Sequence, residues 1–280
     1  MANARSRSPS GAGVFTDRSI IRRVMRERAL ALSGPRALLM QAAHPLAVAG
    51  LLAHSEALDD PYVRLARTAK VMNAITFGDR AEAERMTRRV RAMHKAVKGR
   101  LPDDAGIYPA GTAYRADDPA LLLWILYSLV DSSTVVYRTY VGRLTERQRA
   151  ALWEDYKVIG RMFGLRNADL PDTLADLDAY GHAMLTGDEL HVGDWARRRA
   201  REIVLEPPVH QLARPLVETV NFITIALLPD RIRREYRFVS VPPAAVRRAM
   251  IGTGALYVRR ALLPLLPPQV RLMPAARHAA

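Results

Sequence analysis

Residues 86–97 have the sequence MTRRVRAMHKAV, and this stretch decides the fold class. Apolar side chains recur there at every third or fourth position, which is the period of an α-helix. With the preceding turn, the apolar stripe contains Ala83, Met86, Val90, Met93 and Val97. His94 comes four residues after Val90 and three before Val97, so we expect it on the buried side of this helix.

A histidine on the apolar side of a helix has two interpretations. An imidazole that points into an apolar, methionine-flanked interior is what haem iron requires of its axial ligand. A histidine that satisfies a hydrogen bond in the core is the commoner case. The periodicity of this helix alone leaves both interpretations open, and the rest of the chain has to separate them.

Helical periodicity extends over nearly the whole chain, and alternating strand patterns of useful length are missing. We predict a loop at residues 99–116 and helices at residues 16–32, 36–57 (bent at Pro45), 61–77, 79–99, 119–140, 145–163, 171–185, 209–228 and 243–262. The chain is therefore predicted to be all-α, a single-domain bundle of roughly eight to ten helices.

Composition limits the chemistry and the compartment. The chain has 280 residues, 49% of them hydrophobic, which is enough for one large domain. It has no cysteine, which excludes disulfides, thiolate-ligated haem, cysteine-held iron–sulfur clusters and cysteine zinc sites. Residues 1–14 are predicted to be disordered and lack a secretory signal, and the longest apolar runs, 119–130 and 220–229, are too short to span a bilayer. We expect a cytoplasmic protein.

The net charge of +14 is concentrated near the C-terminal end. Residues 231–280 carry ten arginines against the single acid Glu235, which favours an anionic partner. Nucleic acid is not expected, because zinc-finger spacings, RNA-binding signatures and phosphate loops are missing. Peripheral membrane contact through residues 246–265 stays open, and so does an arginine excess that only reflects genome base composition.

The third predicted helix carries charges where an apolar stripe begins. Arg64, Arg67 and Thr68 share one face, which Val71 and Ile75 continue. Arginines on such a face need an anionic partner if they are buried, and haem propionates would form paired hydrogen bonds with them. If the helix is amphipathic, the same arginines extend to water instead.

His44 follows an apolar run from Ala37 and precedes Pro45. The proline removes a backbone hydrogen bond, and such bends often accompany functional sites. His44 is either a core imidazole that satisfies a carbonyl freed at the bend or a residue of a binding pocket.

Several short motifs in a fixed order resemble a known family. They are Gly34–Leu39, Gln41–Pro45, His54-Ser55, Asp60-Pro61, Arg64–Thr68, Phe77-Gly78, Val90–Val97, Tyr114, Ala116, Asp118-Pro119 and Leu123-Trp124. Together they resemble the catalytic domain of MpaB and latex-clearing protein (rubber oxygenase). The resemblance covers about residues 15–230, which leaves residues 231–280 as an arginine-rich helical extension packed on the same domain.

The resemblance implies an all-helical domain holding one b-type haem, with His94 as the iron ligand and His44 as the second choice for a ligand or pocket residue. Arg64, Arg67 and Thr68 would lie beside the haem, where dioxygen or substrate approaches. It thereby implies a haem b-dependent oxygenase or oxidoreductase. Two alternatives remain: a non-catalytic haem- or lipid-binding protein whose basic tail contacts a membrane or partner, and a structural module in which His94 completes a core hydrogen bond.

Two departures from the rubber-cleaving branch bear on the substrate. That branch has lysine at the position of Arg67, and it uses an additional glutamate beside the haem. In this chain the only glutamate shortly before Pro61 is Glu56, which is poorly placed for that role. We therefore expect a small apolar or amphipathic substrate and not rubber. The sequence does not determine which substrate, or the oligomeric state.

Overall fold

The long apolar stretch after Asp118 forms the central helix of the fold. In the computed structural model, which describes residues 12–53, 61–205, 210–238 and 243–277, helix α6 spans Pro119–Val136. The Asp118 carboxylate accepts a hydrogen bond from the backbone N–H of Ala120 at 2.8 Å and caps the helix. Side chains on every side of α6 are buried, including Trp124 and Val136, as expected of a helix that is apolar all round.

Helices surround α6, and the prediction of an all-α single domain is confirmed. In chain order the other helices are α1 Ile20–Met25, α2 Ser33–Gln41, α3 Pro45–Ala53, α4 Pro61–Phe77, α5 Arg80–Ala96, α7 Glu146–Phe163, α8 Leu174–Thr186, α9 Asp194–Leu205, α10 Arg214–Leu227, α11 Asp230–Glu235, α12 Ala244–Tyr257, α13 Leu263–Leu265, α14 Pro268–Arg271 and α15 Pro274–Arg277. Shorter 3₁₀ turns are at Arg28–Leu32, Asn167–Asp169 and Gln211–Ala213, and π-helical turns at Tyr137–Val141 and Val258–Leu262.

Helix α6 continues through its π-helical turn as one helical segment, Pro119–Val141. Among the described residues it is the one helix long and apolar enough to cross a membrane by length and composition, although the apolar run in the sequence is shorter. Of its apolar window, 61% is buried inside the protein. Its packing against α2 and α7 is that of a core helix.

The helix predicted at residues 36–57 is broken and not merely bent. It ends as α2 at Gln41 and begins again as α3 at Pro45. Pro45 has no N–H to give to the Gln41 carbonyl, which instead accepts from the N–H of His44 at 3.2 Å. The described part of the second half ends at Ala53, and residues 54–60, with His54 and Glu56, lie outside the described residues.

Side chains from distant parts of the chain satisfy the last carbonyls of α2. The Tyr236 hydroxyl donates to the carbonyl of Leu39 at 2.9 Å, and the Trp124 indole donates to that of Met40 at 3.2 Å. Carbonyls at a helix end lack partners within the helix, and a buried carbonyl without one is costly. The break between α2 and α3 is therefore stabilised by the core around it.

The N-terminal region differs from its prediction in two ways. The helix expected at residues 16–32 is divided into α1 and a 3₁₀ turn. Residues 1–11 lie outside the described residues, but Ala12 accepts a hydrogen bond from the N–H of Arg80, and Gly13 pairs with Asp79. Residues 12 and 13, which belong to the segment predicted to be disordered, thus contact the start of α5.

Most of the other predicted helices are confirmed. The capping box predicted at Thr145 and Gln148 begins α7. Helix α8 begins at Leu174 and not at Pro171, because Thr173 is its cap and pairs reciprocally with Asp176. Helices α9 and α11 were not predicted; three consecutive arginines interrupt the apolar period of α9.

The predicted loop at residues 99–116 contains a small antiparallel sheet. Strand β1, Lys98–Arg100, pairs with strand β2, Ala113–Arg115, so that Gly99 lies opposite Tyr114. A Cβ atom at Gly99 would lie 2.5 Å from the Tyr114 hydroxyl, so only glycine lets this ring cross the strand. Strands of three residues are too short to show an alternating pattern.

Residues near the N-terminal and C-terminal ends of the described chain contact each other. The Glu27 carboxylate is buried and receives two hydrogen bonds from Arg271, at 2.8 and 3.0 Å. The backbone N–H of Met273 donates to the carbonyl of Arg26 at 2.8 Å. Ile232, in α11, belongs to the main hydrophobic core together with residues of the preceding helices.

Candidate active site

Helices α4 and α5 form an antiparallel hairpin. Only Gly78 and Asp79 separate them, and the two helices pack against each other. A Cβ atom at Gly78 would lie 2.6 Å from the carbonyl oxygen of Ala74, so this tight turn requires glycine. The Asp79 carboxylate accepts from the N–H of Glu82 at 2.7 Å and begins α5, as predicted.

The hairpin places His94 and the residues Arg64, Arg67 and Thr68, which we call the arginine motif, at similar distances from the turn along their helices. At a rise of about 1.5 Å per residue, His94 lies about 20 Å along α5 from the turn. On α4, Arg64, Arg67 and Thr68 lie about 15 to 20 Å from the same turn by the same measure. The residues that the sequence separates by some thirty positions therefore share the open end of the hairpin.

The surface of α4 at this end is open. Residues 66–70 are all exposed, and five consecutive residues cover more than one helical turn. No described element therefore covers Arg67 or Thr68, whereas Ile75, nearer the turn, is fully buried. The backbone of Arg64 belongs to α4, and its side chain lies outside the described part of the structure.

His94 is half-buried near the C-terminal end of α5. Its Nδ1 atom is enclosed by protein, and its backbone carbonyl accepts from the N–H of Val97 at 3.1 Å. The stripe on α5 differs from its prediction at two positions, because Met93 is 56% exposed and Thr87, which was not assigned to the stripe, is buried. Ala83 and Thr87 form the fully buried part of the stripe, and the arginines and lysines stay outside it.

A single imidazole at this position fits haem better than a free metal ion. No group of three or more His, Asp or Glu side chains within the described residues could hold a metal ion. A porphyrin supplies four nitrogen ligands of its own and needs only an axial ligand from the protein. Exposed Arg67 can also pair with a carboxylate such as a haem propionate. The residues present therefore fit a haem group.

His44 lies between α2 and α3. It is buried, and its Nδ1 accepts a hydrogen bond from the N–H of Leu46 at 3.3 Å. Its ring is 5.6 Å from that of Tyr108, centre to centre. Burial lowers its pKa to about 4, although the charge of Asp118 acts in the opposite direction. His44 is therefore a neutral imidazole with its proton on Nε2.

Helix α3 contacts the neighbourhoods of both histidines. His44 precedes its first residue, and Gly50 is about 9 Å farther along at 1.5 Å per residue. A Cβ atom at Gly50 would lie 3.3 Å from Val97 and 3.6 Å from the Tyr114 ring. Because Gly50 has no side chain, α3 can lie close to the end of α5. Val97 is at that end, three residues from His94.

Residues 21–262 match the family model described as ER-bound oxygenase mpaB/B'/Rubber oxygenase, catalytic domain. The chain belongs to this family. The matched range contains His44, His94 and the arginine motif, and it extends past residue 230, where the resemblance was expected to end. No curated protein and no solved structure matches the sequence.

This mpaB/rubber oxygenase catalytic domain contains a buried ion pair to which sequence reasoning assigned no role. Nη1 of Arg36 lies 2.7 Å from Oδ2 of Asp131 and 2.7 Å from the Ser132 hydroxyl. Its Nε donates to the carbonyl of Leu227 at 2.8 Å. One guanidinium thus holds α2 against α6 and the end of α10. The signal in the sequence was an arginine that opens the apolar run before His44.

The same part of the family domain contains a stack of aromatic rings. Tyr127 is stacked on Trp124 at 5.7 Å and meets the edge of Tyr180 at 5.7 Å. Burial and the nearby Asp131 carboxylate raise the pKa of the Tyr127 hydroxyl well above its usual range. Tyr127 therefore stays protonated and acts as a packing residue.

Proposed function

We propose that this protein is a haem b-dependent oxygenase or oxidoreductase that acts on a small apolar or amphipathic organic molecule with dioxygen. The observation that carries the proposal is the half-buried His94, at the end of the hairpin where the arginine motif of α4 also lies. The membership of the chain in an oxygenase domain family supports a catalytic role. We propose the cytoplasm as its compartment, because the chain has no cysteine.

His94 is the residue that would hold the iron. Since Nδ1 is enclosed by protein, Nε2 is the donor atom we assign to the metal. When bound, haem supplies the redox chemistry toward dioxygen that the side chains of the protein cannot perform. The protein supplies the axial imidazole and the groups that orient cofactor and substrate.

The arginine motif would orient the cofactor and its polar ligands. The exposed guanidinium of Arg67 can form two parallel hydrogen bonds to a propionate carboxylate, and we assign Arg64 the same role. The Thr68 hydroxyl can donate a hydrogen bond to a polar atom bound beside the haem. Removal of one charge-assisted contact, as in Arg67→Ala, should weaken haem binding by about tenfold.

His44 is better suited to a pocket than to iron ligation. Nδ1 accepts the N–H of Leu46, so the ring proton is on Nε2 and no lone pair remains there for iron. Its low pKa, about 4, keeps the ring uncharged at neutral pH. We propose that His44 contributes a neutral N–H donor to the apolar region that α3 covers.

Absorption spectroscopy of the purified protein, produced with a haem precursor, tests the proposal. We expect a Soret band at about 400–420 nm, as for histidine-ligated haem. The band should be lost in His94→Ala and return when imidazole is added. His182→Ala is the matched control, because His182 is an exposed histidine on α8 and its loss should leave the spectrum unchanged.

A His94→Ala variant with full haem content and the original spectrum would overturn the assignment of the ligand. If the band depends on His94 but the protein consumes no dioxygen with any apolar substrate, a non-catalytic haem- or lipid-binding protein is the better conclusion. The exposed apolar and basic side chains of the C-terminal helices are the observation that favours this second function. A colourless protein that takes up no added hemin would contradict haem binding in both functions, and lipid binding or a purely structural module would then be the better conclusion.

A further inference from the structure

The outward side of α12 is apolar where a surface helix is normally polar. The inward side carries the buried Arg247 and Ala255. The opposite side is exposed, and its residues recur at helical spacing: Val246, Ala249, Met250, Thr253, Leu256 and Tyr257. None of these six carries a charge. Because a surface helix normally carries charged or polar residues on its outward side, an uncharged outward side indicates a contact surface.

Helix α10 packs against α12, and apolar residues are also exposed around its start. Leu212, in the turn before α10, is 87% exposed, and Leu216 in its first turns is 68% exposed. Single exposed apolar residues are ordinary, but several on two adjoining helices indicate an interaction surface. We call this surface, formed by Leu212, Leu216 and the outward side of α12, the α10/α12 face.

Basic residues border the α10/α12 face. Arg248 and Arg260 are exposed on α12 and in the π-helical turn that follows it. The sequence has no aspartate or glutamate from residue 236 to its end. Arg247, in contrast, turns inward and lies 3.4 Å from Asp230. Arg214 and Glu218, exposed charges near the start of α10, lie 4.0 Å apart and offset each other, so the net charge around the face comes from the arginines of α12 and the turn after it and is positive.

The charge pattern favours one occupant. A second copy of this chain would meet the face through a symmetric interface, which would bring two identical positively charged borders together. A bilayer with anionic headgroups instead offers hydrocarbon to the apolar row and negative charge to its border. Tyr257 suits such a boundary, because its ring is apolar and its hydroxyl can reach water.

We propose that the α10/α12 face docks this protein on the surface of an anionic lipid bilayer. The helices lie along the surface and do not cross it. The proposal is independent of haem, because none of its residues belongs to the α4/α5 hairpin.

Co-sedimentation of the full chain with lipid vesicles tests the proposal. We expect binding to vesicles of phosphatidylcholine mixed with phosphatidylglycerol, little binding to phosphatidylcholine alone, and weaker binding as salt is raised. Arg248→Gln and Arg260→Gln should each weaken binding by about fivefold. Arg147→Gln removes the same charge from an exposed position on α7 and should have no effect.

Leu256→Ser and Tyr257→Ser test the apolar part of the face. Both should weaken vesicle binding, whereas Ile107→Ser, at an equally exposed apolar residue in the loop before β2, should not. Circular dichroism of each variant reports that the helices are retained. Equal losses in the control variants, or no binding of the intact chain to anionic vesicles, would overturn the proposal. So would a concentration-dependent dimer that Leu256→Ser dissociates, because the occupant would then be a second copy.

Discussion

Replacement of Arg36 by methionine should lower the stability of the domain more than any change in an exposed ion pair. The Arg36 side chain is 3% exposed and joins Asp131, Ser132 and the carbonyl of Leu227. Methionine fills a similar volume but gives none of these groups a hydrogen-bond donor. The Asp131 carboxylate then loses its cation, and the Leu227 carbonyl loses its partner.

The magnitude follows from the burial of the two charges. Loss of one partner from a fully buried ion pair costs about 3–5 kcal/mol. The side chain of Asp131 retains 26% of its exposure, so water partly compensates its charge. We therefore expect a loss of about 3 kcal/mol, at the lower end of that range. Adding Asp131→Leu removes the stranded carboxylate and should return the double variant to within about 1 kcal/mol of the original protein.

Urea unfolding followed by tryptophan fluorescence measures this, because Trp124 and Trp153 are fully buried. With a denaturant slope of about 3 kcal/mol per molar urea, Arg36→Met should lower the midpoint by about 1 M. Arg149→Met is the control, because the Arg149–Asp178 pair is partly exposed and worth less than about 1 kcal/mol. A similar shift in both variants, or a double variant as unstable as the sum of its single changes, would refute the argument.

Two further predictions concern residues around α3 and α6. Burial lowers the pKa of His44 from 6.5 to about 4, so the unfolded chain binds this proton before the folded chain does as the pH falls. The free energy of unfolding should therefore decrease by about 3 kcal/mol between pH 6.5 and 4. His44→Gln should remove this part of the pH dependence in urea titrations, and an unchanged slope would contradict the assignment. Gly181→Ala places a methyl group against the Tyr127 hydroxyl and should cost about 1–3 kcal/mol. Gly193→Ala, with nothing within 4 Å of the added Cβ, should be tolerated, and equal stability of the two variants would argue against this packing.

Local signals in the sequence were sufficient for the hairpin that carries the candidate site. The aspartates at positions 79 and 118 and Thr145 each begin a helix as predicted, since a cap depends on side chains only three residues away. The spacing of apolar residues on α4 and α5 then predicted the two helices, which a two-residue turn connects and which pack against each other as a hairpin. This was enough to place the arginine motif and His94 at the same end of the hairpin.

The same local signals failed where distant residues decide the outcome. Met93 has the correct spacing for the apolar stripe, yet its side chain is exposed. Burial at the end of α5 depends on which other elements of the fold pack there, and local spacing does not determine that. At the break before Pro45, Tyr236, nearly two hundred residues away, donates to the carbonyl of Leu39 in the last turn of α2. The sheet of β1 and β2 likewise depends on a ring crossing a glycine.

Side-chain periodicity, caps and motif order therefore established an all-α domain, the family and the residues to examine, since each depends on a few neighbouring positions. Tertiary structure decided the environment of each residue. It enclosed Nδ1 of His94, made His44 neutral, paired Arg36 with Asp131 and left the outward side of α12 uncovered. The physical reason is that burial, pKa and charge pairing are set by whatever helices meet in space, and helices of similar pattern can meet in many ways.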